Sequence, residues 1–247
     1  MRFDVPAQSQ VGPGITAQMP HNDVFESFAD SLSLNLASGF AANLRSLSEV
    51  VSVLAKDTAK FHTTTERHIV FVATGAAKLV AHVGPDREQI VAFAFAKEVL
   101  VLSSASHTPC ELHALTDCHI VAFSADRLFQ ALVKNTEAAR TLFAQTLSAL
   151  DRSRERSVLL GRKTAQERVA SFLLDMVERT GTPKGNTMVL SLPMSRREIA
   201  DSVGLTIETV SRQLTELRES GVIRTLGRSE IVLLDQKRLR KLALRTG

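Results

Sequence analysis

Residues 194–235 read MSRREIADSVGLTIETVSRQLTELRESGVIRTLGRSEIVLLD. Ser195 followed three positions later by Glu198 is a capping box, so a helix is expected to start at Arg196 with Ile199, Ala200 and Val203 on its buried side. Gly204 ends it. Thr206 suits the N-cap of a second helix, along which Ile207, Val210, Leu214 and Leu217 fall at i, i+3, i+7 and i+10 and form one apolar stripe. Glu208, Ser211, Arg212 and Thr215, at i, i+3, i+4 and i+7, share a polar face turned about 100° from it. The small Ala200, the turn-forming Gly204 and the branched Val210 have the spacing of a helix-turn-helix, in which the glycine makes the turn and the valine fills the angle between helices. After Gly221, residues 222–225 and 231–234 read as two strands joined by the turn Leu226-Gly227-Arg228, which adds a wing.

The run GLTIETVSRQL, then LRESGVI and a wing, resembles the DNA-binding domain of the Crp/Fnr superfamily. Glu208, Ser211 and Arg212 match the recognition triplet of its fumarate-nitrate regulator (Fnr) and FixK branch; the cyclic-AMP receptor branch differs at the positions of Ile207 and Ser211. The resemblance implies an α+β fold: an N-terminal antiparallel β-roll (a cyclic-nucleotide-binding-like jelly roll), a long dimerisation helix and a C-terminal winged helix-turn-helix. It also implies a homodimer on double-stranded DNA at an inverted repeat near TTGAT-N4-ATCAA, and activation through RNA polymerase contact.

For the polar stripe two compatible readings stand side by side. One is an exposed helix face with a Glu208–Arg212 ion pair, worth roughly 0.3–0.5 kcal/mol. The other is base readout, with Arg212 bidentate to guanine and Glu208 accepting from cytosine in the major groove. The candidate DNA contacts are Glu208, Ser211 and Arg212 with Thr206 and Thr209 beside them, and Ser195, Arg196 and Arg228 as phosphate contacts.

A chain of 247 residues with 44% hydrophobic and 23% charged residues has room for two modest globular domains. No apolar run approaches the roughly 18 residues of a spanning helix, and the first residues lack the apolar core of a secretory signal, so a cytoplasmic place without membrane association is expected. Residues 161–247 hold 16 Lys+Arg against 10 Asp+Glu, a balance of +6, while the rest holds 14 against 16, or −2. The basic excess therefore sits with the winged helix, as phosphate binding demands. The run Lys237, Arg238, Arg240 and Lys241 beside the wing is a solvated helix face or a further phosphate contact. With no Tyr or Trp, stacking on single strands is disfavoured and duplex DNA is the better target.

Residues 1–23, rich in Gln, Pro and Gly, are expected to form a flexible arm. A β-roll domain is expected over 24–134: one or two helices across 24–47, with Phe25, Phe28, Leu32 and Leu36 on one side, then strands at 51–54, 69–73, 78–83, 89–95, 99–102, 111–115 and 119–123. A short helix after Ser124 leads to a long one over 135–160. Along that helix Leu142, Phe143, Thr146, Leu147, Leu150, Ser153, Ser157 and Leu160 approximate a 3-4 repeat. Packing on its own roll is one reading; the resemblance makes the helix a dimer seam. The DNA-binding domain is expected over 161–247, with a hinge at 161–163, a capping box at Thr164 and Glu167, a loop over 180–186 and a strand over 188–192.

The roll lacks the family's cyclic-phosphate cradle. Lys97-Glu98 stands in place of Gly-Glu, and Pro109-Cys110 in place of Arg followed by Ser or Thr. Cys110 and Cys118, the only cysteines, cannot ligate a cubane cluster and read as small buried hydrophobes or, secondarily, as redox-sensitive thiols. Seven histidines leave a haem-based gas-sensing regulator of the same family as an alternative, but no metal site or cofactor is expected. No phosphate loop or nucleophile elbow points to an enzyme. The remaining rivals are a cupin-like small-molecule-binding protein with a basic helical tail and an interaction module without DNA affinity.

Overall fold

The structure, a computed structural model, describes residues 21–62, 67–84, 87–104, 108–185, 187–227 and 229–244. Most of the expected arm lies outside these residues, and its last three, from His21, already belong to helix α1 (His21–Ser31). Phe25, Phe28 and Leu32 are buried as expected, but Leu36 is 39% exposed. Ser33, with φ 54, breaks the helical path before Leu36 can join the stripe. Helix α2 (Gly39–Leu47) restarts behind Ser38, whose hydroxyl accepts the Ala41 amide at 3.1 Å.

Seven strands follow within a few residues of the expected runs: β1 (Ser48–Val53), β2 (Arg67–Thr74), β3 (Ala76–Gly84), β4 (Arg87–Phe95), β5 (Val99–Ser103), β6 (Cys110–Ala114) and β7 (Cys118–Ser124). They form two antiparallel sheets, β1-β7-β2-β5 and β4-β3-β6. Val70, Ile120 and Ala122 of the first sheet meet Ala77, Leu112 and Ala114 of the second in a shared core. Phe71, Val121 and Phe123 pack on its other side against α1, α2 and the helices after the roll. Gly75 makes the β2–β3 turn at φ 86, where a Cβ would lie 2.3 Å from the Asp117 carbonyl oxygen and 2.8 Å from Cys118 Sγ.

Helix α3 (Ala125–Leu132) leads into α4 (Thr136–Arg162), whose first turn is capped by the Asn135 side chain accepting from the Ala138 amide at 3.1 Å. At 27 residues α4 is about 40 Å long. It runs through Gly161, so the expected three-residue hinge shrinks to Lys163, the C-cap. Helix α5 (Ala165–Thr180) starts at once on the expected Thr164–Glu167 capping box.

The expected loop over 180–186 instead contains strand β8 (Thr182–Lys184), paired with β9 (Thr187–Ser191). Then come α6 (Arg196–Val203), α7 (Ile207–Glu219), the wing strands β10 (Ile223–Leu226) and β11 (Glu230–Leu233), and α8 (Gln236–Ala243). The wing is part of one antiparallel sheet, β10-β11-β9-β8.

The outer face of β3 and β4 does not face water. Val80, Ile90, Phe93 and Phe95 share one core with Val169, Phe172, Leu173 and Met176 of α5 and with α6 and α7. Phe93 meets Phe172 edge-on, with centroids 6.1 Å apart. Arg179 closes the seam: its Nε and Nη2 donate to both oxygens of Glu98 at 2.8 and 2.7 Å, Nη2 also to the Phe93 carbonyl at 2.6 Å, and its guanidinium lies over the Phe95 ring. Burial alone would lower the Arg179 pKa, but Glu98 and Asp175 hold it above its ordinary value.

Candidate nucleic-acid interface

The capping box of α6 closes from both ends. Ser195 Oγ and its amide both donate to Glu198 Oε2, at 2.8 and 2.7 Å, and the Glu198 amide donates back to Ser195 Oγ at 3.3 Å. Ser195 thus spends its amide and hydroxyl hydrogens inside the helix start, which leaves the exposed Arg196 as the freer of the two candidate phosphate contacts. The other oxygen of Glu198 accepts from Lys78 of β3 at 2.8 Å. Burial opposes its ionisation, yet Lys78 and the Ser195 donors together hold the carboxyl below its usual range.

Gly204 follows at φ 64 and Thr206 caps α7, its hydroxyl accepting the Thr209 amide at 3.2 Å. Val210, Leu214 and Leu217 are buried, and Ile207 is half-buried against them. Glu208 and Arg212 are exposed, and Ser211 and Thr215 half-exposed, on the opposite side. The expected Glu208–Arg212 pair is not formed. Glu208 turns to its own amide and to Thr206, which lower its pKa, while Arg212 Nε lies 4.0 Å from Glu216 Oε1, one turn on. The free amides of a helix N-terminus draw the acid away from the arginine.

One participant escaped the sequence reading. Gln213 is buried and donates to Glu216 at 2.9 Å, so it steadies the carboxylate beside Arg212. Its place at i+3 from Val210, inside the apolar stripe, is the signal that could have found it. Arg238 of α8 donates to the Ser220 carbonyl at 2.8 Å, capping the end of α7; Lys237, Arg240 and Lys241 are exposed beside it. Arg228 lies outside the described residues, and Arg218 and Arg224 add exposed positive charge nearby.

Along α4, Leu142 is only 8% exposed and packs on its own roll, a correction to its expected place in a dimer seam: it joins Phe71 and Phe123 in the core. Phe143, Leu147 and Leu150 are 63%, 44% and 45% exposed, and Val158, unforeseen, is 57% exposed. Ser153 and Ser157 are exposed, with Ser157 bonded to the Ser153 carbonyl. Thr146, half-buried, donates to the Leu142 carbonyl. Leu160 is half-buried and reaches toward Gly204.

In the roll, Lys97 takes φ 71 where the family's glycine would stand, and both oxygens of Glu98 are committed to Arg179. Burial pushes both the Cys110 and the Cys118 thiols up, and Cys118 donates to the Ala76 and Thr116 carbonyls at 3.1 Å. His62, His82, His113 and His119 each have a polar neighbour on the roll: Glu49, Glu88 with Glu111, Thr58 with Glu111, and Thr74 respectively. Among the described residues no group of three or more His, Cys, Asp or Glu stands where it could hold a metal ion, and no helix is long and apolar enough to cross a membrane.

Residues 167–242 match the family described as Crp-like helix-turn-helix domain. Roll, long helix and winged helix-turn-helix together define a DNA-binding transcription regulator. The nitrogen fixation regulation protein FixK of Azorhizobium caulinodans is 38% identical to this chain over 176 residues, 71% of each chain. The transcriptional activator protein FnrL of Cereibacter sphaeroides is 33% identical over 69% of this chain and 71% of its own. The solved structure of FixK2 from Bradyrhizobium japonicum, 34% identical, superposes with a TM-score of 0.69 over 81% of this chain and 99% of that one. The chain belongs to the Crp/Fnr family and is FixK-like within it.

Gly204→Ala tests the turn of the helix-turn-helix. A left-handed residue with a Cβ costs about 1–2 kcal/mol, and here that Cβ would also press on Leu160 at 3.1 Å. A fall in Tm of roughly 2–8 °C is expected; calorimetry finding no change would mean that the turn tolerates a side chain.

Proposed function

We propose that this chain acts in the cytoplasm as a homodimer that reads an inverted repeat near TTGAT-N4-ATCAA and activates transcription by contacting RNA polymerase. The observation that carries the reading is the solvent-facing side of α7, where Glu208, Ser211 and Arg212 stand clear of the core on a helix capped and packed at both ends. Base contacts fall to these three, with Thr206 and Thr209 at the helix entry and Arg196 and Arg228 on phosphates. The second copy docks along Phe143, Leu147, Leu150 and Val158 of α4, since an inverted repeat requires two-fold symmetry. Residues 24–134 form the roll, α4 the seam, and the segment beyond it the DNA-binding unit. The name of the FnrL relative, a transcriptional activator protein, favours activation over repression.

The roll works without a nucleotide in this reading. Glu98 is held by Arg179, Lys97 replaces the glycine, and Pro109-Cys110 offers no guanidinium for a cyclic phosphate. Competition binding against scrambled duplex tests the site: the repeat should win strongly at physiological salt, and equal affinity for both duplexes would refute base readout. The same titration in air, with and without cyclic AMP and reductant, should give one curve. A tenfold gain with the nucleotide, about 1.4 kcal/mol of coupling, would instead mean that the roll holds a ligand.

A further inference from the structure

One guanidinium bridges the end of the long helix and the turn of the helix-turn-helix. Arg168, on the first turns of α5, donates from Nη2 to the Leu160 carbonyl at 2.9 Å and from Nε to the Lys163 carbonyl at 2.9 Å. Its Nη1 donates to the Val203 and Gly204 carbonyls, each at 3.1 Å. The first pair are last-turn and C-cap carbonyls of α4, the second pair those of α6. Helix C-termini present carbonyls without intrahelical partners and carry partial negative charge, so a cation is drawn to both. A planar guanidinium has donors enough, in a fixed fork, to hold two such ends at one angle; an ammonium does not.

The neighbouring packing points the same way. With no Cβ on Gly204, Leu160 Cδ2 and Arg168 Nη1 come within 3.1 and 3.2 Å of where that atom would stand. Only Lys163 separates α4 from the N-cap of α5, so little chain is left to absorb a change of angle. Upstream on α4, the half-buried Arg156 donates to the Ser202 carbonyl of α6 and to the Ile90 carbonyl of β4, a second tie between the long helix and α6.

We propose that Arg168 is a positioning residue that fixes the angle of the recognition helix to α4, and thereby selects which separation of half-sites the dimer reads. This rests on the reading of the chain as an α4-mediated dimer on an inverted repeat. Arg168 donates to backbone carbonyls and stands apart from the base-reading face, so its loss should spare one half-site and blur the relation between two. The geometry of a two-fold dimer turns a change of angle at each α4 end into opposite displacements of the two recognition helices.

The test is a set of TTGAT-Nx-ATCAA duplexes with x from 2 to 6, plus a duplex with a single TTGAT, bound by wild type, Arg168→Met and Arg168→Lys. Met keeps the apolar stem and Lys keeps the charge. Wild type should prefer N4. Arg168→Met should hold the single half-site within about twofold of wild type while its preference for N4 over N3 and N5 falls about tenfold or more, and Arg168→Lys should lie between. A variant that folds and keeps the wild-type spacing profile overturns the inference and leaves the parent reading intact. A wild-type chain indifferent to spacing overturns the parent reading and this one with it. Should Arg168→Met fail to fold, Arg168→Lys decides alone: a flattened profile supports the inference and an unchanged one overturns it.

Discussion

Arg212→Ala is expected to keep most of its affinity for duplex DNA and to lose most of its preference for the repeat. One bidentate arginine–guanine pair discriminates against the wrong base by about 1–3 kcal/mol, roughly 5- to 150-fold per half-site. Non-specific affinity rests instead on phosphate contacts, which the proposed function gives to Arg196 and Arg228 and which the substitution leaves in place. In the free protein Arg212 is not idle, since it lies beside Glu216. Both side chains are largely exposed, so that pair is worth only about 0.3–0.5 kcal/mol, too little to hold the arginine back from guanine. The salt dependence should scarcely change. Competition titrations in which Arg212→Ala still favours the repeat by the wild-type ratio would remove α7 from the major groove.

Leu150→Glu should yield folded monomers that bind the repeat poorly. Leu150 is 45% exposed in the single chain, so an acid there disturbs no core of its own subunit. In a parallel two-fold seam the same position meets itself, and the substitution both removes two apolar side chains, each worth about 1.5–3 kcal/mol when buried, and sets like charges face to face. Since Leu150 is already about half covered in the single chain, roughly half of that burial is at stake, and a dimer dissociation constant raised at least about 10-fold follows. Leu142→Glu, one turn pair earlier, should behave differently and unfold the roll, because Leu142 packs with Phe71 and Phe123. Sedimentation giving a wild-type monomer on its own DNA, or a Leu150→Glu dimer of unchanged strength, would take the seam off α4.

The contrast between Leu142 and its neighbour Phe143 marks how far the sequence alone could be read. A 3-4 repeat says that a helix has an apolar stripe; it does not say which edge of the stripe meets the roll and which meets another molecule. Strands and caps were legible because their signals are local. Alternation between Gly75, Gly84-Pro85 and Pro109 marked the roll's strands, and Ser195, Thr164 and Thr206 each start a helix where their side chains accept the expected amide. Strand β8 was missed because Gly181, Pro183 and Gly185 read as a loop, and only pairing with β9 makes Pro183 an edge-strand residue. The choice of Glu216 over Glu208 as neighbour of Arg212 was also hidden, since both stand four residues away and the decision lies with the helix N-terminus. Arg168 left no trace at all: its partners are backbone carbonyls, which every sequence has.

The hydrophobic core that runs from β3 and β4 into α5 has a consequence for how such chains can be recombined. Val80, Ile90 and Phe93 on one side pack in one core with Phe172 and Met176 on the other, and Lys78 and Arg179 each carry a charge matched across the join. The DNA-reading half is therefore not a cassette that can be cut at Lys163 and spliced to another roll. A hybrid would need the receiving roll to bring its own lysine to Glu198 and its own acid to Arg179, or leave a part-buried charge without its counterpart, which is destabilising.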